Sequence, residues 1–179
     1  MNPILAGGLG AALLAFLASR TQQGAAVVER VTDRVLGVPR GIRNNNPGNI
    51  DWIADPKKRW DGMVRKETPA EGGRFGVFDT PAKGVRAIGQ ELALDGRRGV
   101  RTIEGLIAGV PGIPGSGWAP SNENDTAAYI AAVARAVKME PRQVIDVQSY
   151  LPRLAAAIIE HENGQQPYSL SDIQRWVYS

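Results

Sequence analysis

Apolar residues recur at helical spacing along most of this chain, and the stretch from Ser149 to Tyr168, SYLPRLAAAIIEHENGQQPY, shows the pattern at its clearest. Leu151, Leu154, Ala155, Ile158 and Ile159 fall on one stripe. Ser149 is placed to cap the start, Pro152 is tolerated in a first turn, and Asn163-Gly164 followed by Pro167 supplies the stop. At about 100° per residue Glu162 falls on the apolar stripe, while Glu160 points the opposite way. A carboxyl aimed at the core side costs free energy unless it is neutral or paired, and desolvation favours the neutral form that a general acid needs. Fraying of the last turn would instead turn Glu162 to solvent.

The same spacing predicts more helices. Thr80-Pro81 is a cap followed by proline at the first helical position, and Val85, Ile88, Leu92 and Ala93 carry that helix to near Gly96. Thr102 caps a short helix with Ile103, Leu106 and Ile107 inward; Asn124 or Asp125 caps the next, whose buried face is Tyr129, Ile130, Val133 and Val137. Ser169 with Asp172 fits a capping box for a last helix carrying Ile173, Trp176 and Val177. Period-two alternation is confined to Arg74–Phe78 after Gly72-Gly73, which predicts a small β-hairpin with Phe75 and Phe78 inward and Glu67 and Glu71 in its turn region. The expected fold is therefore α+β, mainly α.

Two segments break the pattern. RGIRNNNPGNI, from Arg40 to Ile50, reads as a polar loop rather than helix or strand, because Asn and Gly favour turns and Pro47 disfavours helix before it. Its Asn44, Asn45, Asn46 and Asn49 carry donors and acceptors suited to sugar hydroxyl and acetamido groups, or to bonding their own backbone. Trp60, beyond it, either stacks a sugar ring or fills the hairpin core. Before it, Pro3 to Ala18 is an uncharged apolar run ended by Arg20, which predicts a membrane anchor over residues 1–20, with a cleaved signal or a buried helix as the alternatives. Residues 21–38 are then expected to form a helical stalk, and 39–179 the remaining domain.

Composition narrows the chemistry. A chain of 179 residues holds one ordinary domain plus an appendage. The net charge of +3 is spread over scattered Lys and Arg, which favours polyanionic partners without any nucleic-acid motif. With no cysteine there is no thiolate nucleophile and no Cys-ligated zinc; His161 is the one histidine, and it reads as a helix-end cation or surface residue rather than a metal ligand. No metal or cofactor is expected.

Glu162-Asn163-Gly164-Gln165-Gln166-Pro167-Tyr168 resembles the helix-ending Glu-Ser-Gly-x-x-Pro-Tyr pattern of the lytic transglycosylases in the goose-type and soluble-transglycosylase branch of the lysozyme superfamily, with Asn163 in place of serine. Glu123 to Ile130, ENDTAAYI, is similar to that branch's Glu-Thr-x-x-Tyr-Val pattern with one extra residue, and Phe78-Asp79-Thr80-Pro81 with Gly84, Ala87 and Leu92 is similar to its helix after the β region. Gly48-Asn49-Ile50 is similar to its Gly-Leu-Met-Gln loop. The acid comes last here instead of first, as in a circular permutation. From Pro39 to Tyr168 the combination also resembles a group of phage and prophage virion proteins of structural or lysozyme-like character.

The resemblance implies a lysozyme-like domain and a virion-associated enzyme acting on peptidoglycan, held to a lipid bilayer by its first helix, alongside other virion proteins. It assigns Glu162 as the catalytic acid and places Tyr129 at the active site, with Asn163, Asn46, Asn49, Tyr168 and Trp60 as candidate substrate contacts. A lytic transglycosylase needs one carboxyl; a hydrolase needs a second, for which Glu67, Glu71, Asp79, Glu123 and Asp125 are the candidates. The alternative is a non-enzymatic, membrane-anchored structural protein of the virion.

Overall fold

The computed structural model describes residues 37–119 and 125–179. The apolar run 3–18, the stalk up to residue 36, Glu123 and Asn124 lie outside the described residues, and so does the expected anchor. Among the described residues no helix is long and apolar enough to cross a membrane.

Residues Arg40–Ser179 form one compact unit. In chain order it contains helix α1 (Arg40–Arg43), strand β1 (Met63–Lys66), a 3₁₀ turn (Pro69–Glu71), strand β2 (Gly76–Phe78), and then helices α2 (Pro81–Arg97), α3 (Ile103–Ala108), α4 (Thr126–Val137), α5 (Val147–Asn163) and α6 (Leu170–Val177). The fold is mainly helical with a two-stranded antiparallel sheet, in which Met63 lies opposite Phe78, Arg65 opposite Val77 and Lys66 opposite Gly76.

Helix α5 is the centre of the packing. It touches α1, α2, α4 and α6, and its Leu151, Leu154, Ala155, Ile158 and Ile159 are all buried. These meet Val85, Ile88 and Leu92 of α2, Val133 and Val137 of α4, and Ile173 and Val177 of α6 in one continuous core. Burying each such side chain contributes about 1.5–3 kcal/mol, which makes the stripe on α5 the main source of cohesion.

Capping residues hold the helix starts as their chemistry demands. Thr80 accepts from the Lys83 amide at 3.4 Å, Thr102 from Gly105 at 3.0 Å, Asp125 from Ala128 at 3.0 Å and Ser169 from Asp172 at 3.1 Å. Helix α5 starts earlier than Ser149 predicts: Asp146 occupies the cap position and the Ser149 hydroxyl turns back to its carboxylate at 2.5 Å. Pro152 therefore lies inside the helix and leaves the Gln148 carbonyl without its usual amide donor. The Tyr178 hydroxyl, beyond α6, donates to that carbonyl at 2.7 Å.

The asparagine segment also departs from expectation. Its first four residues make the single helical turn α1, closed by Asn44 N–H donating to the Arg40 carbonyl, before Asn45 and Asn49 take left-handed conformations at φ 51° and φ 50°. Asparagine tolerates that region better than most side chains, so the loop can reverse twice within five residues. In the hairpin, Phe78 is fully buried, whereas Phe75 is only half-buried, with the Arg40 guanidinium 4.2 Å from its ring centre.

Candidate active site

Glu162 sits in the last turn of α5, half-buried, and its two carboxyl oxygens are both engaged. The Tyr129 hydroxyl from α4 donates to Oε1 at 2.8 Å, and the Asn49 side-chain amide donates to Oε2 at 2.9 Å. A carboxyl on the core side of a helix must be neutral or paired, and here it is paired with donors from two other parts of the chain. Glu160, two residues earlier, is exposed.

Tyr129 is buried, and its ring stacks on His161 with centroids 3.7 Å apart. Burial, reinforced by the charge of Glu162, drives its hydroxyl well above the ordinary tyrosine range, so it remains a protonated donor. His161, exposed at the helix end, is a packing partner for that tyrosine; among the described residues no group of three or more His, Cys, Asp or Glu could hold a metal ion.

The asparagine loop is locked from within. Asn46 is fully buried, donates to the Ile50 and Gly76 carbonyls at 2.8 and 2.9 Å, and accepts from the Ile50 amide at 2.9 Å. Asn44 donates to Glu67 at 2.6 Å and Asn45 to the Phe78 carbonyl at 3.1 Å. Asn163 donates to the Pro47 carbonyl at 2.7 Å and to the Ile159 carbonyl at 2.8 Å, which ties the end of α5 to this loop. Among the described residues the side-chain oxygens of Asn49 and Asn163 have no hydrogen-bond donor, and they converge on Gly41, where a Cβ would lie 3.1 and 2.5 Å from them. Only a glycine lets both amides come this close.

A cleft of about 440 Å³ opens beside Glu162 and Asn49. Trp60, Phe75 and Trp118 give it aromatic walls, and Asp51 and Arg74, paired at 2.6 Å, lie along it. Gly48 also lines it, and a Cβ there would lie 2.6 Å from the Trp118 ring, so the loop and the tryptophan meet as closely as the backbone allows. A concave site that combines aromatic faces with polar side chains and one doubly hydrogen-bonded carboxyl suits a polar ligand of sugar type.

No protein-family model matches the chain. Over 161 residues, 89% of this chain and 91% of the relative, the sequence is 33% identical to Protein P5 of Pseudoalteromonas phage PM2. The chain belongs to the Protein P5 family. Because the aligned length exceeds the compact unit Arg40–Ser179, the relationship to Protein P5 extends into the residues before Arg40.

In this member of the Protein P5 family the residues singled out from sequence divide cleanly. Glu162, Tyr129 and Asn49 meet directly, and Trp60 lines the same cleft. Asn46 and Asn163 were candidates for substrate contact, but their amide hydrogens are committed to main-chain carbonyls, so they shape the loop instead. Tyr168 lies outside the cleft, edge-on to Trp176 at 5.4 Å, with its hydroxyl pushed up to about 12 by burial.

The candidate second carboxylates are engaged elsewhere. Glu67 is buried against Arg40, Asn44 and the Phe75 amide; Glu71 pairs with Arg65 at 2.8 Å; Asp79 pairs with Lys83 at 2.9 Å; and Asp125 caps α4. None of these four lines the cleft. Among the described residues the carboxyls that do so are those of Glu162, Asp51 and Glu91 on α2. The signal of Glu91 was present in the sequence: it follows Ile88 by three residues and Gly84 by seven, on the buried face of its helix, the same reasoning that singles out Glu162.

Proposed function

We propose that this Protein P5 family member is a virion-associated enzyme that cleaves the β-1,4 bond between N-acetylmuramic acid and N-acetylglucosamine in peptidoglycan. The observation that carries the reading is Glu162, held between the Tyr129 hydroxyl and the Asn49 amide on the wall of an aromatic cleft. In this scheme the domain is a circularly permuted, lysozyme-like relative of the lytic transglycosylases. Residues 1–20 anchor it to a phage membrane, and local wall cleavage aids delivery of the genome.

Glu162 protonates the glycosidic oxygen as its bond to the anomeric carbon breaks. The resulting carboxylate then takes the proton of a hydroxyl on the same sugar, whose oxygen bonds to the anomeric carbon and closes an anhydro ring, so one carboxyl serves as acid and base. Tyr129 suits both stages, because a hydroxyl accepts from the neutral acid and donates to the carboxylate. Asn49, its oxygen set against Gly41, keeps its amide aimed at Oε2 and fixes the carboxyl's orientation. Phage origin of the relative and the apolar run near the N-terminus support the virion and membrane parts of the reading.

The test is release of soluble fragments from dye-labelled peptidoglycan by the full chain, with mass analysis of the products. Anhydro-muropeptides are expected, and reducing ends in their place would mean hydrolysis. No release by the folded protein would favour the non-enzymatic structural role.

A further inference from the structure

Glu91 approaches the cleft from the packed side of α2, half-buried beside Gly117 and Trp118. The described residues supply no hydrogen-bond donor to it, whereas Glu162 has two side-chain donors and Glu67 has side-chain and main-chain donors. Four residues on, Asp95 is buried on the same helix face, accepts from the Gly117 amide at 3.2 Å and pairs with Arg98 at 3.2 Å. The other charged groups along the cleft are Glu162 and the Asp51–Arg74 pair. Thus, among the described residues, the cation lining the cleft is engaged by Asp51, and four residues on from Glu91 its own helix face carries the charge of Asp95. Burial first, and then the charge of Asp95, raise the Glu91 carboxyl above the usual carboxylate range.

We propose that Glu91 is a substrate-contacting residue of this cleft, a neutral carboxylic acid whose hydroxyl donates a hydrogen bond to an oxygen of a sugar lying against Trp118. The inference rests on the glycan reading above and deepens it. Proton transfer remains with Glu162, and Glu91 supplies binding. The oxygen it meets belongs to an acetamido carbonyl, an acceptor that a protonated acid satisfies and an ionised one repels. Glu91 is half-buried and has no donor among the described residues, so a ligand that accepts from it gives it a hydrogen-bond partner on binding.

The experiment measures binding of the N-acetylglucosamine pentamer to the full chain by calorimetry from pH 4.5 to 8.5, together with peptidoglycan turnover. Glu91→Gln keeps the shape and an N–H donor but does not titrate; Glu91→Ala removes the donor. Wild-type affinity should weaken as pH rises and Glu91 ionises. Glu91→Gln should bind as wild type does at low pH and lose that alkaline weakening, while Glu91→Ala should bind about tenfold more weakly at low pH. Thermal melts establish that both variants fold. An unchanged alkaline limb in Glu91→Gln, or unchanged affinity in Glu91→Ala, overturns the assignment. So does a hundredfold fall in Glu91→Gln turnover at unchanged affinity, which would make Glu91 a proton-transfer group. If the wild type neither binds the pentamer nor releases peptidoglycan fragments, the glycan reading itself fails; if it does both while the variants behave as wild type, only the role of Glu91 fails.

Discussion

The Tyr129 hydroxyl of α4 donates to Glu162 Oε1 of α5 at 2.8 Å, across 33 residues of chain. The bond joins two helices whose apolar faces pack together, so the same contacts that build the core set the position of the carboxyl.

Removing that hydroxyl tests the link. Tyr129→Phe leaves the stacking on His161 and the burial of the ring in place, so the variant should fold, with a lower melting temperature from the lost hydrogen bond. Turnover should fall by about 10- to 100-fold, as expected for a lost hydrogen bond that leaves one oxygen of the reacting carboxyl unpartnered, worth about 1.5–3 kcal/mol. Turnover equal to wild type would make Tyr129 a core residue only.

Gly41 supports the site from behind. Alanine in a helical turn ordinarily gains about 0.5–1 kcal/mol over glycine, but a Cβ here would press on the side-chain oxygens of Asn163 and Asn49 at 2.5 and 3.1 Å. Gly41→Ala should instead cost about 1–3 kcal/mol, by overpacking, and should lower turnover by shifting the amide that holds Glu162. Chemical denaturation and peptidoglycan release measured on one preparation check both effects. A stabilised, fully active variant would contradict this account.

Stability should fall in acid because of the β region. Burial alone would raise the Glu67 carboxyl, but donors from Arg40, the Phe75 amide and Asn44 outweigh it and bring the group down to about 2. Glu71 is also brought down to about 2, chiefly by Arg65. A depressed carboxyl stabilises the fold fully above its unfolded value near 4.5, and the contribution is lost as pH falls from there toward 2. For the fully buried Glu67 this is worth about 3 kcal/mol at neutral pH. Glu67→Gln should lower stability at pH 7 by a comparable amount and flatten the acid limb of a melting-temperature profile. An acid limb identical to wild type would show that the loss arises elsewhere.

Much of this architecture was legible in the sequence because helix faces and caps are local. Thr80, Thr102 and Ser169 start their helices, and the stripe from Leu151 to Ile159 is the core of α5. What was not legible is tertiary. An asparagine's composition does not reveal its partner, so Asn46 and Asn163, bonded to main chain, were indistinguishable from Asn49, which meets Glu162. The turn α1 was hidden by residues that favour loops, and its helix is too short for periodicity to register. Glu91 carried the same pattern signal as Glu162, but nothing in α2 alone says that its buried face opens onto a cleft.

The most direct measurement compares Glu162→Gln with Glu160→Gln in release of soluble fragments from labelled peptidoglycan by the full chain. Gln preserves the shape of Glu162 and its bond to Tyr129 while removing the transferable proton, so turnover should fall at least about 100-fold, whereas the exposed Glu160 should tolerate the change. Equal losses in the two variants, or an active Glu162→Gln, would contradict the claim that Glu162 is the catalytic acid.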